Sequence, residues 1–171
     1  MVEVYLARHG QTEENVCRIF QGHLPGRLTD EGKLQAIALG EYLKDIPLDG
    51  ILSSDLDRVV ETVRLAVGSR HLPWQITPLL REINWGSWTG LPIDSVDKSC
   101  YPENAETREM LYHRAEQCVD FIRGNYQNTR LLVVAHGLIN RSIRAVVCGI
   151  PVSELYTVSR MQNGECCRLE L

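Results

Sequence analysis

The sequence predicts an α/β protein, a three-layer α/β/α sandwich whose mostly parallel central sheet carries an antiparallel C-terminal edge hairpin. Three observations lead there. Residues 2–7 and 131–135 are short, nearly continuous apolar runs, as expected of central strands covered on both faces. Between and after them the apolar residues recur at helical spacing, and alternating strands and helices stack into layers. Near the end, Asn163-Gly164 separates residues 155–161 from 165–171, which is a two-residue hairpin signal.

Taken in order, the first run ends at Arg8-His9-Gly10. A helix over residues 29–44 follows, capped by Thr29, with Asp30 and Glu31 in its first turn and an apolar pattern running through Leu34, Ile37, Ala38 and Tyr42. Residues 50–53 form a third, weaker strand. Ser54 is placed to cap the next helix, where Leu56, Val59, Val60, Val63 and Val67 make one stripe and Arg58 lies off it in the first turn. Residues 85–103 hold Gly86, Gly90, Pro92 and Pro102 and read as a loop beside or over a site. A third helix is expected from near Asn104, with Leu111, Ala115, Cys118 and Ile122 on one face. A fourth follows His136-Gly137, with Ile139, Ile143 and Val146 facing inward.

A length of 171 residues suits one domain spanning 1–171, long enough to bury a substantial core. Hydrophobic residues at 44% and charged residues at 23% are ordinary for a globular protein. A formal net charge of −4 argues against nucleic acid or an anionic membrane surface as partner. No apolar run is long enough to cross a bilayer, and the N-terminus enters the first strand without a basic leader segment. The six cysteines are scattered and include no C-x-x-C pair, which points to reduced thiols in a cytoplasm. They are expected as small hydrophobes in or near the core, with Cys166 and Cys167 on opposite faces of a strand.

The chemistry gathers at strand ends. In open α/β sheets ligands sit outside the carboxyl ends of the strands. Arg8-His9 and His136 lie at two such ends, and Arg58 follows a third. Two arginines and two histidines converging there make a cationic pocket suited to a dianion such as phosphate. Gly10 lets the backbone approach a ligand closely. Helix starts after His136 and after Ser54 add backbone N–H groups. Glu82 opens the glycine- and tryptophan-rich segment as an acid able to protonate a leaving oxygen, and phosphate beside it helps it hold that proton. On these grounds either histidine can be the nucleophile. His23, His71 and His113 have no comparable setting, and Trp85 and Trp88 read as packing residues. Metal-ligand spacings, a phosphate-cradling G-x-x-x-x-G-K-[ST] loop, a dinucleotide fingerprint and a G-x-S-x-G elbow are all absent from the sequence.

These residues resemble the histidine phosphatase superfamily, which includes cofactor-dependent phosphoglycerate mutases and many small phosphatases. Arg8-His9-Gly10-Gln11-Thr12 with Asn15 is similar to the family signature, and Leu28-Thr29-x-x-Gly32 with Gln35-Ala36 to the segment after it. Ser53-Ser54-Asp55-Leu56 with Arg58 and Thr62, Leu80-Arg81-Glu82-Ile83 with Gly86, Trp88 and Gly90, and Ala135-His136-Gly137 with Arg141 resemble the later blocks.

The resemblance implies that His9 attacks phosphorus to form a phosphohistidine and that Glu82 protonates the leaving alcohol and then activates water. It implies that Arg8, Asn15, Arg58, His136 and the backbone near Gly137 hold phosphoryl oxygens, with Gln21 and Gly22 near the substrate. It calls for no metal and no cofactor. The implied substrate is a small phosphorylated metabolite, and among small members the α-ribazole phosphatases have a similar length and motif layout. Phosphoglycerate mutase activity and non-catalytic phosphate binding stand as the alternatives. The chain departs from the family in residues 91–104, shorter than the lid region of the mutases, in Ala105-Glu106-Thr107 where Gly-Glu-Ser is common, and in Arg27 where proline is common. A short lid favours hydrolysis over transfer, because a mutase must shield its intermediate from water. Oligomeric state is not legible: an exposed edge strand can pair with another copy, and Glu165, Arg168 and Glu170 can equally protect it.

Overall fold

Five strands form one sheet in the order β3-β2-β4-β1-β5, in a computed structural model that describes residues 1–171. The strands are β1 (Glu3–Arg8), β2 (Gly50–Ser53), β3 (Trp74–Ile76), β4 (Arg130–Ala135) and β5 (Cys166–Glu170). The pairs β1–β4, β2–β4 and β2–β3 are parallel, and β5 runs antiparallel along β1 at the edge. The helices are α1 (Glu13–Val16), α2 (Asp30–Leu43), α3 (Asp57–Val67), α4 (Arg108–Asn125) and α5 (Gly137–Val147). None is long and apolar enough to cross a membrane.

The period-2 alternation of β1 and β4 divides the core into two layers. Val4, Leu6, Leu131, Val133 and Ala135 face α4 and α5, where Leu111, Ala115, Cys118, Ile122, Ile139 and Ile143 cover them. Tyr5, Ala7, Leu132 and Val134 face the other way, onto Leu39 and Leu43 of α2 and Val59 and Val63 of α3. Burying each Val, Leu or Ile side chain contributes about 1.5–3 kcal/mol, so both layers hold the two central strands in place. The expected three-layer α/β arrangement with a mostly parallel sheet is what the chain adopts. Cys166 and Cys167 pack on opposite layers, as the strand reading required.

Several local expectations are corrected. There is no C-terminal hairpin: residues 152–157 form a 3₁₀ turn, and β5 takes β1 as its partner. At the Asn163-Gly164 turn only Gly164 has positive φ, at 75°, whereas a type I′ hairpin needs both central residues there. The turn instead ties back to β1's end, with the Gly164 N–H donating to the carbonyls of Arg8 and His9 (both 3.1 Å).

On α2 the buried face is Gly32, Ala36, Leu39 and Leu43, while Leu34, Ile37 and Tyr42 lie exposed. Small residues decided this. A Cβ on Gly32 would sit 2.0 Å from the Gln11 carbonyl oxygen, and one on Gly40 2.2 Å from that of Ala66, so the helix lies backbone-to-backbone along that ridge.

The helix expected from Asn104 begins at Arg108, capped by Thr107, whose hydroxyl accepts the Met110 N–H. Asn104 is engaged elsewhere, accepting the Ser87 N–H (3.0 Å). Ser54 does not cap α3, whose N-cap is Leu56. Strand β3 and the short α1, set by a Thr12–Asn15 capping box, carried no periodicity and went unforeseen. The thiols are all free, but only Cys118 is buried, and Cys17, Cys100 and Cys148 are exposed.

Candidate active site

Parallel register places the two histidines side by side. Arg8 pairs with Ala135 across β1 and β4, so His9 and His136 emerge together just beyond the last rung. Ser53 pairs with Val134 on the other flank, which brings Ser54 alongside.

His9 is almost wholly buried, and its Nδ1 meets the Gly10 carbonyl at 2.7 Å. A carbonyl can only accept, so Nδ1 carries the proton and Nε2 keeps a free lone pair. The Gly10 N–H is held by the Thr62 hydroxyl (3.1 Å), which itself donates to the Arg58 carbonyl (2.7 Å). Gly10 must be glycine: a Cβ there would lie 2.2 Å from the Gly32 carbonyl oxygen.

Two buried guanidiniums flank the ring. Arg8 donates through Nη1 to the Met161 carbonyl (2.8 Å). Arg58, 1% exposed, donates to the carbonyls of Leu24 and Gly22 and so pins the segment after α1. In each the buried Nε has no partner. Burial brings Arg58 down to about 10, with Glu82 opposing, and lowers Arg8 in the same way. Burial first, then the Arg58 and Arg8 charges, pushes His9 well below the ordinary imidazole value. Both effects describe a cationic pocket held ready for an anion.

His136 is fully buried behind His9 rather than on the cleft wall. Its Nε2 lies 2.9 Å from the Ser54 hydroxyl. That hydroxyl also accepts the Leu56 N–H, and the His136 Nδ1 is a further buried nitrogen without a partner. Burial and the neighbouring Arg58, His9 and Arg8 hold this ring neutral as well.

The start of α5, expected to face phosphate, holds Glu82. Oε2 accepts the Leu138 N–H (3.1 Å), and Oε1 accepts those of Ile139 (3.2 Å) and Ile83 (3.1 Å). The segment carrying Glu82 is fixed by Arg114, which donates to the carbonyls of Leu79, Arg81 and Glu82 and forms an ion pair with Glu106 at 2.8 Å. His23, set aside on sequence grounds, donates Nε2–H to the same Glu82 carbonyl (2.9 Å). Neither residue has a local signal, because each meets Glu82 only across the fold.

The cleft over these groups holds about 560 Å³ and is lined by Arg8, His9, Asn15, Gln21, Gly22, Arg58, Glu82 and Gly137 among others. The site residues named from the sequence therefore come together, with His136 directly beneath. Asn15 faces the cleft while its Oδ1 accepts the Thr12 N–H (3.0 Å) and the Asn163 amide (3.2 Å). Gln21 is buried, with its side-chain Oε1 accepting the Thr12 hydroxyl (2.9 Å). Trp85 and Trp88 also line the cleft, as do Ile93, Lys98 and Tyr101 of the following loop. Lys98, Tyr156 and Arg160 went unrecognised in the sequence, since nothing in their neighbourhood marks them.

Comparison with known proteins gives a consistent picture. The model of the histidine phosphatase superfamily (branch 1) matches residues 4–171. An adenosylcobalamin/alpha-ribazole phosphatase from Salmonella typhimurium is 30% identical over 95% of this chain and 87% of its own length. A probable phosphoglycerate mutase, GpmB of Erwinia tasmaniensis, is 28% identical over 90% of this chain and 78% of its own. Among solved structures, Bacillus stearothermophilus YhfR superposes with a TM-score of 0.94 at 28% identity, covering 100% of this chain and 92% of that one. The alpha-ribazole phosphatase of Shigella flexneri does so at 0.90 and 28%, covering 99% and 90%.

Proposed function

Because the chain belongs to the histidine phosphatase superfamily and is a phosphatase-class hydrolase, we propose that it hydrolyses a small phosphorylated metabolite through a phosphohistidine on His9. The Nε2 lone pair attacks phosphorus, the ester P–O bond breaks, and Glu82 gives its proton to the departing alkoxide. Water then attacks the phosphohistidine, Glu82 takes the water's proton, the N–P bond breaks and phosphate leaves. Arg8 and Arg58 hold the phosphoryl oxygens through the transfer, with Asn15, the backbone near Gly137 and His136 alongside. Gln21 and Gly22 face the rest of the substrate.

One observation carries this reading. A neutral imidazole with a fixed tautomer stands between two buried guanidiniums whose Nε donors have no protein partner. A buried donor left unmade costs about 1–3 kcal/mol, and a phosphoryl group supplies acceptors for both. The relatives' names favour α-ribazole 5′-phosphate as the substrate, and this is the ester to test first. The test is phosphate release from a panel of phosphomonoesters that includes it, by the parent and by His9→Ala. Release by the parent and none by the variant is expected, and a variant as fast as the parent would overturn the assignment. Exchange of 2- and 3-phosphoglycerate faster than phosphate release would mark a mutase instead.

A further inference from the structure

The Glu82 carboxylate is placed by its own backbone as well as by α5. In the peptide unit that joins Glu82 to Ile83, the N–H donates to Glu82's own Oε1 (3.1 Å). The carbonyl of the same unit accepts from two side chains, His23 and Arg114, which fill its two lone pairs. A trans peptide is planar, with N–H and C=O on opposite sides. Whatever fixes the carbonyl therefore also aims the N–H, and through it the carboxylate. Arg114 reaches the carbonyl from α4 at 3.3 Å and is shared with Leu79, Arg81 and Glu106. His23 makes the shorter bond, at 2.9 Å, and donates to nothing else.

His23 is in turn held by the other half of the site. Arg58 donates to the carbonyls of Gly22 and Leu24, the residues on either side of it. Gly22 has a φ of +49°, and a Cβ there would lie 3.3 Å from the Ile83 carbonyl oxygen and 3.2 Å from Trp85. This three-residue strap thus lies directly against the segment that follows Glu82. A carbonyl only accepts, so His23 Nε2 carries the hydrogen. Burial holds the ring below the ordinary imidazole value, with the carbonyl bond opposing. Protonation of the ring would leave the bond in place, because Nε2 keeps its hydrogen in the charged form as well.

We propose that His23 is a positioning residue for Glu82. Its Nε2–H holds the Glu82–Ile83 peptide so that the carboxyl stands at the leaving oxygen, and the Gly22-His23-Leu24 strap ties that placement to Arg58. This rests on the reading of Glu82 as the general acid. His23 does not line the cleft, so its effect passes through Glu82.

Two polar variants separate the donor from the bulk of the ring. In His23→Gln the amide nitrogen reaches the place of Nε2, whereas in His23→Asn it reaches only that of Nδ1. First-turnover rates are measured on p-nitrophenyl phosphate and on the fastest alkyl ester of the phosphomonoester panel. The proteins are the parent, both variants, Glu82→Gln and the double variant His23→Asn/Glu82→Gln, each with its melting temperature. His23→Asn is expected to slow the alkyl ester by about 10–10²-fold, as a displaced catalytic group does, and p-nitrophenyl phosphate far less. His23→Gln should recover most of that loss. In the double variant the His23 change should cost nothing further on the alkyl ester, since both act through one group. Equal losses on the two esters, no recovery in His23→Gln, or an additive loss in the double variant overturns the role. If Glu82→Gln discriminates between the esters and His23→Asn does not, His23 alone is wrong. If Glu82→Gln treats them alike, or the parent cleaves no alkyl ester, the acid reading fails and takes His23 with it. Ring ¹⁵N shifts of the parent give a check without turnover: Nε2 of His23 should carry the hydrogen, and a neutral ring protonated at Nδ1 instead overturns the proposal.

Discussion

The rings of His9 and His136 meet edge to face, with centroids 5.2 Å apart and planes at 64°. Two imidazoles this close, buried and facing Arg8 and Arg58, cannot both carry charge at low cost, and each is pushed well below its ordinary value. His9, the proposed nucleophile, therefore needs no deprotonation at neutral pH.

This has a consequence for stability against pH. An unfolded histidine titrates near 6.5, while the folded pair titrates lower. Below about pH 6.5 the unfolded chain binds more protons than the folded one, so stability is full above that value and is lost as pH falls toward the folded values. The expected outcome is a melting temperature that drops between pH 7.5 and 5.5, with less dependence in His9→Asn. Imidazole NMR shifts should show His9 still neutral at pH 6.5. A His9 midpoint at or above 6.5 would sink the account.

Glu82→Gln keeps the side chain's shape and an acceptor for α5 but removes the proton that the proposed reaction draws on. Hydrolysis of alkyl phosphates, whose alkoxide needs that proton, should slow by about 10²–10⁴-fold. p-Nitrophenyl phosphate, with a good leaving group, should lose much less in its first step. The comparison is made by burst kinetics on both esters. Equal losses on the two would show that Glu82 does not act as the acid.

Arg58→Lys keeps the charge but not the fork. The guanidinium ties the carbonyls of Gly22 and Leu24 and leaves Nε without a partner, free for the proposed phosphoryl contact, and one ammonium cannot serve both. Loss of these bonds should cost about 1–3 kcal/mol of stability and weaken vanadate binding at least tenfold. Denaturant unfolding and vanadate inhibition measure the two separately. A variant as stable and as tightly inhibited as the parent would contradict both roles.

Gly10→Ala should fail for a steric reason. Its Cβ would meet the Gly32 carbonyl oxygen at 2.2 Å, where neither backbone can yield. A loss above about 3 kcal/mol, or no soluble protein, is expected, since backbone clashes fall in the large-effect tail of substitutions. Near-parent melting would mean that β1 and α2 are less closely seated than the structure places them.

Much of the site was legible because its residues follow strands with strong patterns. The two apolar runs located His9 and His136, and the position of ligands at strand ends brought Arg58 in as a third partner. Glu82 was found by its segment, but its hold on α5 was not, since that contact joins residues 56 or more apart in sequence. Arg114 and His23 were missed for the same reason. The buried face of α2 was not legible because periodicity counts large apolar residues, whereas here Gly32, Ala36 and Gly40 set how closely the backbone could approach.

By itself the sequence determined the layered α/β architecture, the pair of strand-end histidines and the cationic character of the pocket, because periodicity and residue chemistry are local properties. Tertiary structure alone decided that β5 closes the sheet on β1 without a hairpin, that the start of α5 binds Glu82, that His136 packs against His9, and that the Nε atoms of Arg8 and Arg58 are buried without a partner. Each of these depends on how separate segments pack, and on which buried donors that packing leaves without a partner.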